Sequence, residues 1–493
     1  VHYTIYVSYN INYYNKHYVK RKAIRMKFLG RRRELSRFKE ELDAARPSLV
    51  ILFGRRRVGK SRFLREVGKS RKEIYFQATR VSSLLNLEQF KTEVAKVLGA
   101  QPVLESLSSW EGVFYHIAEH TRNNPGLLVT IDEFPYLLDG DPALPSIMQK
   151  FWDSGAPADG ALKLILCGSS ISQMQDLLAE RNPLYGRQTL SLDMKQLPLT
   201  DVAGFFPGYD AIGIISAYAI FGGIPYYLQL CNPDLPLKDN AVRLLLTETG
   251  TLVDEPNTLL QTELHEPGFY SSVLAAIADG CNTTSEIASR LGVKAERITP
   301  YAAKLVALHL ISNTKSLDVD EKARNRRFRL EDSLISFWHR FVRPSLTAIS
   351  GGFGEDVYRH VVAPGFSEYM GIAFEAIALE YARIHIQERL GLPAKEVGQI
   401  WGHSDFDIDV AGKLLNGEFF YGECKWTNAD IDMGHLRQLR ERSEKTRYGR
   451  GTAGKHFLLF SKAGFSSDLI DFAKDETRRV HLLTPDDLVR PNR

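Results

Sequence analysis

Apolar positions along this chain fall into two kinds of pattern, short continuous runs and longer amphipathic stretches, and their order predicts an α/β protein. The run "SLVILF" (48–53) gives way at Gly54 to a loop, and helical spacing resumes from Lys60, so strand, loop and helix are expected in succession. "GLLVTID" and "LKLILC" are two further runs with the length of buried strands. After His265 the spacing becomes helical three times, with breaks at "DGCNTT" and "GVKAE". Val273, Leu274 and Ile277, then Ile287 and Leu291, then Leu305, Leu308 and Ile311 mark one buried face each. "SNTKSLDVDEKARNRRFRLED" then alternates like a hairpin, which makes residues 265–345 a winged helix-turn-helix. Further on, "MGIAFEAIALEYARIHIQERL" reads as an amphipathic helix, and "DFDIDVAG" and "FFYGECKW" as strands joined by the turn "KLLNGE".

A chain of 493 residues, 44% apolar and 25% charged, has the composition of a soluble protein of two to four domains. No run approaches the roughly 18 to 20 apolar residues that cross a bilayer, and the N-terminus lacks the apolar core of a signal peptide, so a cytoplasmic address without membrane contact is expected. Cys167, Cys231, Cys281 and Cys424 are scattered, with no CxxC pair, and read as reduced thiols. Charge is uneven. Lys16, Lys20, Arg21, Lys22 and Arg25 stand in residues 1–25 without an acid, which exceeds the net charge of +4 and leaves the rest near neutrality. That segment also holds six tyrosines and no periodic pattern, and reads as an extension upstream of an ordered start at Met26. The alternative is a basic arm for nucleic acid or membrane.

The spacing Gly54-x-x-x-x-Gly59-Lys60-Ser61, set between strand and helix, is the phosphate-binding loop pattern. Glycines let backbone N–H groups turn inward around phosphates, Lys60 reaches the terminal phosphates, and Ser61 offers a hydroxyl to magnesium. "TIDEF" supplies the partner strand end, with Asp132 to hold magnesium and Glu133 to polarise the attacking water. ATP hydrolysis with Mg2+ is therefore expected. Downstream, Ser169 or Ser170 is placed to sense the terminal phosphate and Arg187 to stabilise developing charge, although a surface role for Arg187 fits its position equally well.

Acid-x-lysine tripeptides are common, and Asp193-Met194-Lys195 and Asp320-Glu321-Lys322 are two that lack a supporting context. Glu423 and Lys425 differ because they share a strand face, and the neighbouring strand carries Asp405, Asp407 and Asp409. A hairpin brings Asp409 beside Glu423, and Glu375 on the preceding helix joins as a further acid. Such acids repel unless a hard divalent cation sits among them, and a lysine beside that cation can orient or deprotonate water. Arg437, Arg440, Arg442 and Lys445 on the following helix could lie along phosphates or form a solvated face. The winged unit offers Lys294, Arg297 and Lys304 on its third helix, against Glu296, and Arg324, Arg326, Arg327 and Arg329 on its wing.

Over residues 28–345, the pieces "FLGRRREL", "GRRRVGKS", "TIDEFPYLL", "CGSSISQM", "PLYGR" and "FGGIPYYL" resemble the archaeal and bacterial STAND branch of P-loop ATPases, relatives of the AAA+ group. The resemblance implies a parallel sheet with helices on both faces, Gly30 and Arg31 bordering the nucleotide, and a helical lid opened by Gly223 and Pro225 over the adenine. The tail resembles the PD-(D/E)xK nuclease superfamily, in particular the nuclease-like domain with a "GECKW"-type strand attached to many archaeal ATPases. That resemblance implies Glu375, Asp409 and Glu423 as metal ligands and Lys425 as the residue that assists water, with Ile408 departing from the superfamily's proline. The expected α/β multidomain architecture is an extension (1–25), an ATPase core (26–205), a helical lid (206–264), the winged unit (265–345) and an α/β restriction-endonuclease-like domain (346–493). The expected function is ATP hydrolysis coupled to DNA binding and Mg2+-dependent DNA cleavage, with homo-oligomers allowed. The alternative is a STAND-type regulator or transcription switch whose tail only binds DNA or protein.

Overall fold

In the computed structural model, which describes residues 28–319, 326–402, 406–452 and 454–490, the apolar run after Pro47 forms strand β1 (Ser48–Phe53), buried along its whole length. Continuous burial requires cover on both faces, and the side chains divide by the two-residue period of a strand. Val50 and Leu52 pack with Phe38 and Leu42 of helix Arg32–Asp43 and Phe63 of helix Lys60–Gly68. Leu49 and Ile51 pack on the other side with Phe90, Trp110, Phe114 and Phe151. With β2 (Glu73–Gln77), β3 (Leu128–Asp132), β4 (Lys163–Gly168) and β5 (Leu190–Asp193), the sheet runs β2-β3-β4-β1-β5, all parallel. The loop after β1 and the acids after β3 thus meet at the carboxyl edge, where open α/β sheets bind ligands.

Helix Ala211–Phe221 is apolar nearly throughout and correspondingly buried, and helix Pro225–Leu230 follows it. Helices Pro267–Ala278, Thr284–Leu291 and Ala295–Ala307 come next, the second opened by a Thr283–Glu286 capping box. Strands β6 (Ile311–Lys315) and β7 (Arg326–Leu330) then pair as an antiparallel hairpin.

The tail is built on a 28-residue helix, Ala363–Leu390, which Gly391 ends in the left-handed conformation. It lies against a second sheet of order β12-β11-β10-β9-β8, made of β8 (Ala394–Ile400), β9 (Ile408–Leu414), β10 (Phe419–Lys425), β11 (Lys455–Ser461) and β12 (Val480–Leu483). Strand β9 is antiparallel to both β8 and β10, while β10, β11 and β12 are parallel. Alternation again sorts the faces. Phe420, Leu458 and Phe460 join the core of the long helix, whereas Tyr421, Phe457 and Leu459 pack with Leu436 and Leu439 of helix Met433–Lys445. One core runs from β1 through Ala211–Phe221 into the long helix and the second sheet.

Residues 1–25, Asp405 and Arg324 lie outside the described residues. Asp407 is exposed ahead of β9, because pairing with β8 begins only at Ile400↔Ile408, so of the expected aspartates the strand itself carries Asp409. The segment after β6 is joined to the second sheet: Leu317 N donates to Gln399 O at 3.0 Å and Trp401 N to Ser316 Oγ at 3.0 Å, which covers the edge strand β8. Among the described residues the cysteines are free thiols, and no helix is long and apolar enough to cross a membrane.

Candidate nucleotide and metal sites

The loop after β1 is shaped by its glycines. Gly59 has φ 95° and Gly54 φ 152°, and a Cβ on Gly54 would run into the carbonyl of Met194, just after β5. Lys60 is buried, and its Nζ donates to the carbonyls of Gly54 (2.7 Å) and Arg55 (3.1 Å), so the ammonium holds the loop in a ring around itself. Across the sheet edge Ser61 Oγ donates to Asp132 Oδ2 at 2.8 Å. Asp132 is buried at the end of β3 and is further fixed by Tyr75 Oη on Oδ2 (2.7 Å) and Glu133 N on Oδ1 (3.0 Å). Burial, and then the Asp132 charge, push the Tyr75 hydroxyl well above its ordinary range, so it stays a donor. Glu133 has a left-handed backbone (φ 54°), and its Oε2 accepts from Ser169 Oγ at 2.8 Å.

This donor set fits a nucleotide with magnesium. Lys60 is bonded to neutral carbonyls, which an incoming phosphate can replace, and the Ser61 hydroxyl and Asp132 carboxylate already face each other as two oxygen donors. A cavity of about 470 Å³ lies beside the loop, lined by Val58, Lys195 and Ile224 and, from the long helix, by Glu380 and His385. Arg31 reaches its rim, with its guanidinium on the carbonyls of Val58 (3.3 Å) and Lys195, and its N–H on Asp201 (3.1 Å). Gly30, at φ 72°, packs against the same Asp201. Pro225 is seated against Gly59, where an added Cβ would meet its ring at 3.6 Å. Thus Gly30, Arg31, Gly54, Gly59, Lys60, Ser61, Asp132, Glu133, Ser169 and Pro225 share one region. Arg187 does not join them. It donates two hydrogen bonds to Asp153 (2.8 and 2.7 Å) as a bidentate ion pair and one to the Pro183 carbonyl (2.9 Å), which uses its guanidinium elsewhere.

The three arginines inside the loop are a feature that spacing alone did not expose. Arg55 pairs with Asp332 at 2.5 Å, Arg56 donates to Tyr136 Oη (2.9 Å) and faces Glu263 (3.6 Å), and Arg57 pairs with Glu255 and covers the Tyr226 ring at 4.7 Å. Each therefore ties the loop to a segment outside the nucleotide core. Tyr75 was likewise unmarked, since its role follows from β2 lying beside β3.

In the tail, the β9–β10 ladder ends at Val410↔Gly422, and the strands part where Asp409 Oδ2 accepts from Cys424 N at 2.8 Å. Glu423, 5% exposed, accepts from Lys425 Nζ (2.6 Å) on one oxygen and from Arg442 (2.7 Å) on the other. Glu375, on the long helix, accepts from Gln399 Nε2 at 3.3 Å and lies 3.7 Å from Arg329 of the wing. Burial, then the charges of Glu375 and Glu423, push the Asp409 carboxyl up to about 7. Burial also raises Glu375, opposed by Arg329. Burial pulls the Lys425 ammonium down, but its bond to Glu423 outweighs this and leaves it raised.

These acids have the chemistry of a divalent-cation site, since they sense each other's charge and oppose joint ionisation. Among the described residues, however, no three Asp, Glu, His or Cys side chains stand ready as a metal cage. Both Glu423 oxygens are held by cations of the chain itself. Other candidate cations are also engaged. Arg440 lies over the rings of Phe457 (5.1 Å) and Phe472 (5.3 Å), Arg297 over Phe269 (4.3 Å), Arg327 over Trp401 (5.4 Å), and Lys304 donates to Ser172 of the first domain.

Comparison with known proteins adds the following. Residues 28–231 match a family described as an ATPase domain predominantly from Archaea, and residues 338–442 match one described as archaeal and bacterial proteins of unknown function. An uncharacterized protein of Methanocaldococcus jannaschii is 30% identical over 404 residues, covering 81% of this chain and 87% of that protein. Among solved structures, the chain is similar to a Walker-type ATPase of Pyrococcus abyssi, at 20% identity and TM-score 0.49 over 64% of this chain and 97% of that one. It is also similar to the ORC2 protein of Aeropyrum pernix, at 13% identity and TM-score 0.43 over 66% and 96%.

Proposed function

The chain belongs to the archaeal P-loop ATPase family that joins an ATPase domain to a C-terminal region of unknown function, and from that premise we propose that it couples ATP hydrolysis to magnesium-dependent cleavage of DNA. The observation that carries the second half is the gathering of Glu375, Asp409, Glu423 and Lys425 from one helix and two strands, where β9 and β10 part.

In this reading residues 26–205 form the nucleotide core, 206–264 a lid, 265–345 a winged helix and 346–493 a nuclease-like domain. Lys60 binds the terminal phosphates, Ser61 and Asp132 hold magnesium, and Tyr75 keeps Asp132 in place. Glu133, released from Ser169, turns to the attacking water. In the tail Glu375, Asp409 and, freed from Arg442, Glu423 would hold the cation through their carboxylate oxygens. Lys425 then orients the water. A bound divalent cation would supply charge for the phosphoryl oxygens.

The test is incubation of the purified chain with supercoiled and linear DNA, with magnesium or manganese, beside Asp409→Ala and Lys425→Ala. Metal-dependent nicking lost in both variants is expected. A second reading, an ATP-driven regulator with a silent tail, is favoured by the two cations already bound to Glu423. Absence of nicking, or nicking indifferent to both substitutions, would select it.

A further inference from the structure

We infer that the cleft between the wing hairpin and the long helix binds a single polynucleotide strand and leads it to the acid cluster, an inference that rests on reading that cluster as a phosphodiester-cleaving site. The cleft measures about 630 Å³. The β6–β7 hairpin forms one wall with Lys315, Arg326 and Arg329, and the helix forms the other with Arg383 and with Ile372, which is 65% exposed. Glu375, Asp409, Glu423 and Lys425 do not line the cleft, but Gln399, which does, bonds to the first of them. Arg329 donates to Gln399 Oε1 at 2.8 Å, and Gln399 donates in turn to Glu375 at 3.3 Å, so the last cation of the wing and the first acid of the cluster share one amide.

Cations outnumber acids along this cleft, with Lys315, Arg326, Arg329, Arg340 and Arg383 against Glu331, Asp332, Glu368 and Glu380, and the Arg383 charge reaches the Glu331 and Glu380 carboxyls. Among the described residues Lys315 and Arg383 make no ion pair, and Arg326 has the Asn313 carbonyl at 3.4 Å. Three of the four acids lining it are held by other groups. Asp332 is bound to Arg55, Glu368 to Arg340 (2.9 Å), and Glu380 accepts from Leu199 N (2.9 Å) and Tyr218 Oη (2.7 Å). Burial holds the Glu331 and Glu380 carboxyls above their ordinary range, which lowers their opposition to an anion. Cations on two facing walls, spaced along a groove, suit a ligand whose negative charge repeats.

The walls select a strand over a duplex. Hydrogen bonds from Leu317 to Gln399 and from Trp401 to Ser316 pin the hairpin to the sheet edge, so the cleft cannot widen around a double helix without breaking them. Its apolar wall is aliphatic, through Ile372 and Ala376, while the nearby Tyr369 is buried with its hydroxyl on the Ala219 carbonyl. Base stacking therefore contributes little, and phosphate contacts dominate.

The experiment is fluorescence anisotropy of the full chain in EDTA with labelled oligo(dT), oligo(U) and a duplex of equal length. Tighter binding of either single strand than of the duplex is expected. Lys315→Ala/Arg383→Ala should weaken strand binding roughly tenfold at moderate salt and reduce the slope of log K against log salt by about 1.4, the share of two phosphate contacts. Lys315→Arg/Arg383→Lys should keep the binding, which separates lost charge from lost folding, and thermal melting of both variants checks the fold. Preference for duplex, or an unchanged affinity and slope in the alanine variant, would overturn the inference. Strand binding without metal-dependent cleavage would remove the cleavage reading and leave the cleft standing. Asp409-dependent cleavage with an unaltered alanine variant would do the reverse.

Discussion

Arg55 and Asp332, 277 residues apart in the chain, meet at 2.5 Å as a buried ion pair, each side chain 4% exposed. The Arg55 carbonyl also accepts from Lys60, and Asp332 also accepts from Ile335 N at 2.9 Å, so the pair joins the phosphate loop to the segment that follows the wing. Burial disfavours the Arg55 charge, but Asp332 outweighs this and holds it raised. A movement of the β6–β7 hairpin would therefore be felt at the loop.

Removing one partner leaves the other buried and uncompensated. Asp332→Ala should cost about 3 to 5 kcal/mol in urea unfolding, and Arg55→Met in the same chain should recover a large part of it. Additive losses in the double variant would show that the two residues do not act as a pair.

Tyr75→Phe should lower ATP turnover about tenfold while nucleotide affinity and melting temperature change little. The hydroxyl gives Asp132 a charge-assisted hydrogen bond of about 1.5 kcal/mol, and the ring keeps its packing. Steady-state hydrolysis with a nucleotide-binding titration checks this, and equal losses in binding and turnover would contradict it.

Acid stability should follow two imidazoles. Burial, then Arg343, pushes His339 down to about 4, and burial, then His456, does the same for His481. Unfolded histidine titrates near about 6.5. Between about 6.5 and 4 the unfolded chain binds protons that the folded chain refuses, so stability is lost as pH falls through that window and these groups cost nothing more below it. His339→Gln should show a shallower fall in melting temperature from pH 7 to 4 than wild type.

Arg442→Ala should tighten manganese binding at the tail by roughly tenfold, because it frees a Glu423 oxygen from a 2.7 Å ion pair. The measurement is a manganese titration of nucleotide-free protein. Unchanged or weaker binding would mean that Arg442 does not compete with a cation there.

Much of this was legible in the chain because it depends on local order. Gly54, Gly59, Lys60 and Ser61 sit between a strand and a helix, and Asp132 and Glu133 end a continuous apolar run, so both strand ends follow from pattern. Glu423 and Lys425 share a face by the period of a strand, and the hairpin sets Asp409 near them. What pattern does not carry is pairing at a distance. Arg55, Arg56 and Arg57 look interchangeable in sequence, yet each has a different partner that only the fold supplies. The same holds for Arg187, whose partner Asp153 ends a helix on the surface, and for Arg442, whose partner lies on the strand its helix packs against. Asp407 failed for a different reason: the alternation of "DFDIDVAG" continues beyond the point where β8 can pair with it.

The central claim is that Glu375, Asp409 and Glu423 form a cation site distinct from that of the nucleotide. Its most direct measure is calorimetric titration of manganese into the nucleotide-free chain, its Lys60→Ala variant and its Asp409→Ala variant. One binding event per chain, kept in Lys60→Ala and lost in Asp409→Ala, is the predicted result; no binding at millimolar manganese, or binding equal in all three, would contradict it.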